Sequence, residues 1–264
     1  MRLFCLIFLW LGWPAALIAQ PVEVDVELFL AVDVSRSMSP SELEIQRRGY
    51  AEALTDPDVI AAIRGGLLGR VALTYVEWAG DVSQRVVVPW TLIETAADAA
   101  TVAEAITAHF DDGLRRTSIS GALMYALHDF DGNGFEGLRR VVDVSGDGPN
   151  NQGRPVTRAR DAVLAEGIVI NGLPLMTQDA LSQRWGIPDL DVYYLRCVIG
   201  GPGSFVIPVY DWDQFAGAIT RKLILEIAQR PTRLWQAQMQ ALPPYDCLVG
   251  EKIWQQNRYY FDTP

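Results

Sequence analysis

The run "LFLAV", residues 28–32, is apolar without interruption and closes on Asp33, which is followed by Ser35, Ser37 and Ser39. Runs of this kind fit central strands buried on both faces, as in parallel sheets. Further along, "GRVALTYVEWAG" and "SQRVVVPWTLI" are β-rich runs separated by a turn with Gly80 and Asp81, and they predict an antiparallel hairpin. Helical spacing alternates with these strands. "SPSELEIQRRGYAEAL" offers Ser41 as N-cap, with Glu44 three residues on, and keeps helical spacing through Leu54. "TAADAATVAEAITAHF", "SISGALMYALHDF", "RPVTRARDAVLAEG" and the amphipathic "WDQFAGAITRKLILEIAQR" follow as helices. "LRRVVDVSGDG", "IVINGLPLM" and "GSFVIPVYD" are strand-like. The alternation predicts an α/β fold: a doubly wound, mostly parallel sheet with one antiparallel edge strand and helices on both faces. Ligands of such sheets sit beyond the carboxyl ends of the strands, where Asp33 and its serines fall.

Two ends stand apart from this pattern. Residues 1–19 carry Arg2, then an apolar stretch, then Pro14 and small residues up to Ala19, the layout of a secretory signal peptide cut near Gln20. An uncleaved anchor is the competing expectation. No later segment has the apolar length of a membrane span, so none is expected after cleavage. Residues 230–264 form a C-terminal extension rich in aromatics and Gln. Burial of Trp235, Trp254, Tyr259, Tyr260 and Phe261 is expected to pack it on a domain of residues 24–229, with partner docking as the alternative.

Composition narrows the function classes. Half of the 264 residues are hydrophobic, enough for a packed core. There are 32 acidic against 22 basic residues, and loss of Arg2 with the signal leaves 21, a net of −11. Such a chain repels nucleic acid and favours cations or basic surfaces. Cys5 leaves with the signal, so Cys197 and Cys247 remain, an even pair that suggests one disulfide in an oxidising, periplasmic or extracellular compartment. Two unpaired buried thiols are the alternative.

Five polar residues are expected at the strand ends: Asp33, Ser35 and Ser37, Thr117 before a helix, and Asp147 after "VVDVSG". Two carboxylates and three hydroxyls, with neither thiol nor imidazole, suit a hard cation such as Mg²⁺ (or Mn²⁺) and suit zinc poorly. Taken singly, the serines also fit turn and cap roles. Asp33 is harder to place that way, because a carboxylate ending an apolar strand is costly to bury without a partner. Asp143 lies on the same side of its strand as Asp147. The residue nearer the loop is preferred as ligand, and Asp143 is expected to be hydrogen-bonded inside the sheet.

"DVSRS" at the end of an apolar strand, "TSISGAL" with a Thr five residues before Ala-Leu, and "SGDGPNN" with an Asp in a Gly-flanked loop occur in one order. Together they resemble the metal-ion-dependent adhesion site (MIDAS) of von Willebrand factor type A (VWA) domains, over about residues 24 to 229. "VIGGPGSF" and "AITRKLILEIA" further resemble a bacterial exported subgroup of unknown function, DUF1194. The resemblance implies that Ser35, Ser37 and Thr117 reach the metal directly, and that Asp33 and Asp147 do so directly or through water. It also implies a protein partner that supplies an acidic side chain to the metal. In type A domains of the integrin kind the last helix, here residues 211 to 229, shifts with ligation; the sequence leaves that open for this chain.

Other motifs fall away. "DFDGNGFEGLRR" begins like a calcium loop with Asp129, Asp131, Asn133 and Gly134, but its twelfth position is Arg140 where Glu is required. His109 and His128 stand at helix ends in surface or capping positions. A hydrolase built on Ser35 lacks a neighbouring base. The expectation is therefore an exported, non-catalytic domain for metal-dependent protein binding. A metal-dependent hydrolase or phosphoryl-transfer enzyme and a scaffold with a vestigial site are the alternatives.

Overall fold

The computed structural model describes residues 20–108, 113–177, 185–228 and 244–258. The signal-like residues 1–19, His109, and the tail aromatics Trp235, Tyr259, Tyr260 and Phe261 lie outside the described residues. In chain order the elements are β1 (Val22–Val24), β2 (Val26–Asp33), α1 (Pro40–Thr55), α2 (Pro57–Arg64), β3 (Val71–Trp78), β4 (Gln84–Ile93), α3 (Ala96–Thr107) and α4 (Ile119–Asp129). Then come β5 (Phe135–Gly137), β6 (Arg140–Gly146), α5 (Val156–Ala165), β7 (Val169–Pro174), α6 (Leu190–Tyr193), α7 (Phe215–Ala228) and α8 (Val249–Arg258).

β2 is buried at all eight positions because it is the middle strand of a five-stranded sheet ordered β4-β3-β2-β6-β7. β3, β6 and β7 join it in parallel, and β4 is the antiparallel edge strand, as the hairpin pattern predicts. Side chains alternate across this strand. Leu28, Leu30 and Val32 enter one core with α1, α3 and α7, while Phe29 and Ala31 enter the other with α4 and α5. Phe29 sits among Trp90, Tyr125 and Phe130, with ring centroids 6.2–6.3 Å away. A sheet covered on both faces leaves its strand ends as the accessible polar rim, and β2 and β6 end side by side at Asp33 and Gly146.

The structure corrects several sequence expectations. α1 is capped by Ser39, two residues earlier than expected: its Oγ accepts the Glu42 N–H (3.3 Å), and Glu42 Oε2 accepts the Ser39 N–H (2.7 Å). Pro40 occupies the first helical turn, where a missing N–H costs nothing, and this moves the start forward. Ser39→Ala is therefore expected to lower unfolding stability by about 1 kcal/mol in urea, and Ser41→Ala by under about 0.5 kcal/mol. "GSFVIPVYD" makes only isolated bridges along the β7 edge, at Val206 and Val209: Ile207 and Val209 donate to Gly172 O and Pro174 O, but Pro174 has no N–H to return the bond between them. α2 and α8 were not foreseen. The calcium-like stretch forms a turn into β5, with Asn133 and the Gly137 N–H both bonded to Glu27.

Asp143 departs most from expectation. It makes an ion pair across the core with Lys222 of α7 (2.7 Å), and Lys222 also holds Glu226 (2.5 Å). All three are fully buried, and Glu226 accepts from Asn171 of β7. Burial outweighs Lys222 and, with Glu226 adding to it, pushes the Asp143 carboxyl up to about 7. Burial works against the Lys222 charge, but Asp143 and Glu226 overcome it and raise that pKa. The cluster fastens the last helix of the sheet layer to the strand that leads to Asp147.

Candidate functional site

The loop after β2 turns back on itself because Asp33 Oδ1 accepts the Ser35 N–H (2.7 Å). That turn brings Ser35 Oγ and Ser37 Oγ to 2.9 Å, and Ser37 Oγ donates to Asp147 Oδ1 (2.8 Å) across 110 residues of sequence. The structure thus brings Asp33, Ser35, Ser37 and Asp147 into one hydrogen-bonded group. The loop of Thr117 is stitched on by backbone: Leu114 N–H donates to Val34 O (2.8 Å) and Arg36 N–H to Leu114 O (2.7 Å). Asn151 closes the ring, its Oδ1 accepting the Thr117 N–H (3.0 Å) and its N–H donating to Thr117 O (2.8 Å). Thr117 is nearly buried, and no hydrogen bond of its hydroxyl joins the serines among the described residues.

The electrostatics of the group are those of an incomplete site. Asp33 is fully buried and its Oδ2 has no hydrogen-bond partner among the described residues. Burial first, and the charge of Asp147 second, push its carboxyl well above the usual carboxylate range. Directly beside it, a Cβ at Gly146 would lie 2.9 Å from Asp33 Oδ2 and 3.0 Å from Tyr194 Oη, so only glycine leaves that carboxylate its place. Among the described residues no three His, Cys, Asp or Glu side chains gather to hold a metal; the donor set here is two carboxylates and neutral hydroxyls. Such a set fits a hard divalent ion, which would also relieve the Asp33–Asp147 repulsion.

Residues that sequence reasoning missed support this group from below. Asn150 is fully buried: its Oδ1 accepts the Ser120 N–H (2.9 Å), its N–H donates to Tyr193 Oη (3.1 Å), and its Nδ2 donates to Glu251 of α8 (2.7 Å). The paired asparagines of "SGDGPNN" were the available signal. α8 also stacks Trp254 against the Arg116 guanidinium (3.2 Å to the ring centroid). Arg116 precedes Thr117 and is the one non-glycine residue with a left-handed backbone among the described residues (φ 78°). The Cys197–Cys247 disulfide anchors this helix to the body, so the expected pairing is present. Tyr245 adds a hydrogen bond to Asp189 (3.0 Å).

A family model described as "Protein of unknown function (DUF1194)" matches residues 23–231. No curated protein matches the chain. Among similar solved structures is proximal thread matrix protein 1 from the mussel byssus "with zinc occupied MIDAS motif", at 15% identity and a TM-score of 0.58, covering 80% of this chain and 50% of that one. Another is a von Willebrand factor type A structure from Catenulispora acidiphila (15%, TM-score 0.51, 78% and 43% covered). A third is the vWF domain of the type V pili tip protein Mfa5 from Porphyromonas gingivalis (10%, TM-score 0.53, 78% and 97% covered). The chain spans about half the length of the first two or less. At these identities the likeness establishes a VWA-like fold and nothing further.

Proposed function

The chain belongs to the DUF1194 family, and from that premise and the oxygen-lined end of its VWA-like sheet we propose that it is an exported domain binding Mg²⁺ or Mn²⁺ for metal-dependent adhesion to another protein. The observation that carries this reading is the fully buried Asp33 carboxylate, whose Oδ2 lacks a partner among the described residues while its neighbours Ser35, Ser37 and Asp147 form one hydrogen-bonded group. Asp33, Ser35, Ser37, Thr117 and Asp147 would hold the ion. Because three of these are neutral and an octahedral ion keeps water positions open, a bound divalent ion can take a partner's carboxylate as a further ligand.

The role is binding rather than catalysis. In support, the hydroxyls of Ser35 and Ser37 hydrogen-bond each other and the carboxyl groups of Asp33 and Asp147, and no imidazole or amine among the described residues is bonded to them to take a proton. Export is supported by the disulfide, which persists in oxidising compartments. Among the described residues no helix is long and apolar enough to cross a membrane. A zinc-occupied MIDAS motif in one structure of similar fold adds support for a metal at this end of the sheet.

Affinity capture from the native cell envelope tests the proposal. The partner is expected to be retained in Mg²⁺ and released by chelator. A set of captured proteins identical with and without chelator would overturn the metal-dependent reading, and Mg²⁺-dependent turnover of a phosphoester or peptide would overturn the non-catalytic one.

A further inference from the structure

We propose that the metal face selects an acidic segment of its partner, in which one carboxylate completes the metal site and neighbouring carboxylates pair with a rim of arginines. The inference rests on the reading above and names the partner's chemistry. Four arginines stand in the loops around the site, in a chain whose charge is −10 overall. Residues 33–39, 79–83, 113–118 and 147–155 hold Arg36, Arg115, Arg116 and Arg154, and their acids are Asp81 and the two candidate ligands Asp33 and Asp147. Asp111 and Asp112, earlier in the Thr117 loop, lie outside the described residues.

Arg36, Arg115 and Arg154 are exposed, and none makes an ion pair with a described residue. Arg36 stands between the two candidate serine ligands, and its Nε donates to Gly113 O (3.1 Å), which holds it between the serine loop and the Thr117 loop. Arg154 lines a cleft of about 400 Å³ that passes Met124, Tyr125 and His128 on α4. The cleft begins beside the site: Asp81 on its wall accepts from Ser118 Oγ (3.3 Å), and Ser118 follows Thr117. A segment lying from the metal into this cleft passes Arg154, whose planar guanidinium matches a carboxylate in two hydrogen bonds. A partner with a lone carboxylate gains the metal alone. One with further acids gains the rim as well, while the acidic remainder of the domain repels it elsewhere.

The test compares two labelled synthetic peptides of equal length in a Gly-Ser background, one with a single Asp and one with three, by fluorescence anisotropy in Mn²⁺ and in chelator. In Mn²⁺ the three-Asp peptide is expected to bind about tenfold more tightly, since two exposed pairs contribute roughly threefold each. Chelator should remove both signals, and added salt should shrink the difference. The double variant R115Q/R154Q should bring the advantage to about twofold. Arg64→Gln, at the end of α2, removes one positive charge at the opposite end of the sheet and should leave the advantage intact. Equal affinities for the two peptides, or a tenfold advantage left undiminished in R115Q/R154Q, with binding still dependent on Mn²⁺, would overturn the rim alone. Failure of both peptides to bind a protein that takes up Mn²⁺, or binding that persists in chelator, would overturn the metal-centred reading and the rim together.

Discussion

Asp33→Asn should abolish Mg²⁺ and Mn²⁺ binding while leaving the metal-free protein at least as stable as the wild type. The opposite signs follow from what each oxygen does. Oδ1 accepts the Ser35 N–H that turns the loop, and an amide oxygen can accept it equally well. Oδ2 is buried without a partner among the described residues and faces the repulsion of Asp147, so a neutral amide removes a cost of about 1 kcal/mol. An amide oxygen carries no charge to balance the cation, and loss of one of the two carboxylates should lower affinity at least about 100-fold, or roughly 2.7 kcal/mol. Calorimetric titration with each metal reads the first effect, and urea unfolding in chelator reads the second. Wild-type affinity in the variant would remove Asp33 from the ligand set. A large fall in metal-free stability would make its carboxylate a structural group instead.

The second large effect lies in the core. Lys222→Met leaves Asp143 and Glu226 buried without their shared cation, and removing one member of a buried ion pair costs about 3–5 kcal/mol. The loss should be smaller at low pH, where both carboxyls take up protons. Asp143 also predicts a pH slope in the wild type. Its folded pKa, about 7, is raised above the unfolded carboxylate value, so between about pH 4 and 7 the native state binds more protons than the unfolded one. Stability contributed by this group is therefore greatest at the acid end of that window and falls as pH rises. Asp143→Asn should flatten the wild-type slope by about 2 kcal/mol between pH 5 and 7.5, measured in chelator so that the metal site contributes equally to both proteins. An unchanged slope would mean that Asp143 is ionised throughout.

Much of this architecture was legible because hydrophobic pattern and burial agree. "LFLAV" could only be satisfied in the centre of a sheet, and the β3–β4 hairpin announced the antiparallel edge. Four of the five candidate ligands meet in one hydrogen-bonded group, since each ends a strand or opens the loop after it. What stayed hidden depended on distant partners. Asp143 reads as one more polar residue in a strand until Lys222, far along the chain, is found against it. Asn150 looks like loop punctuation, yet its three hydrogen-bonding groups are all used in places the local sequence does not name. The cap at Ser39 was missed for a nearer reason: Ser-x-x-Glu occurs twice in "SPSELE", and Pro40 selects the first frame.

The contacts of α8 bear on how this protein should be produced in the laboratory. The matched family region stops at residue 231, whereas Cys247, Glu251 and Trp254 lie beyond it and reach back to Cys197, Asn150 and Arg116. A recombinant fragment trimmed to the family boundary would display an orphan thiol at Cys197 and would free the bend ahead of Thr117 to relax. Its feeble uptake of metal would then describe the truncation and not the protein.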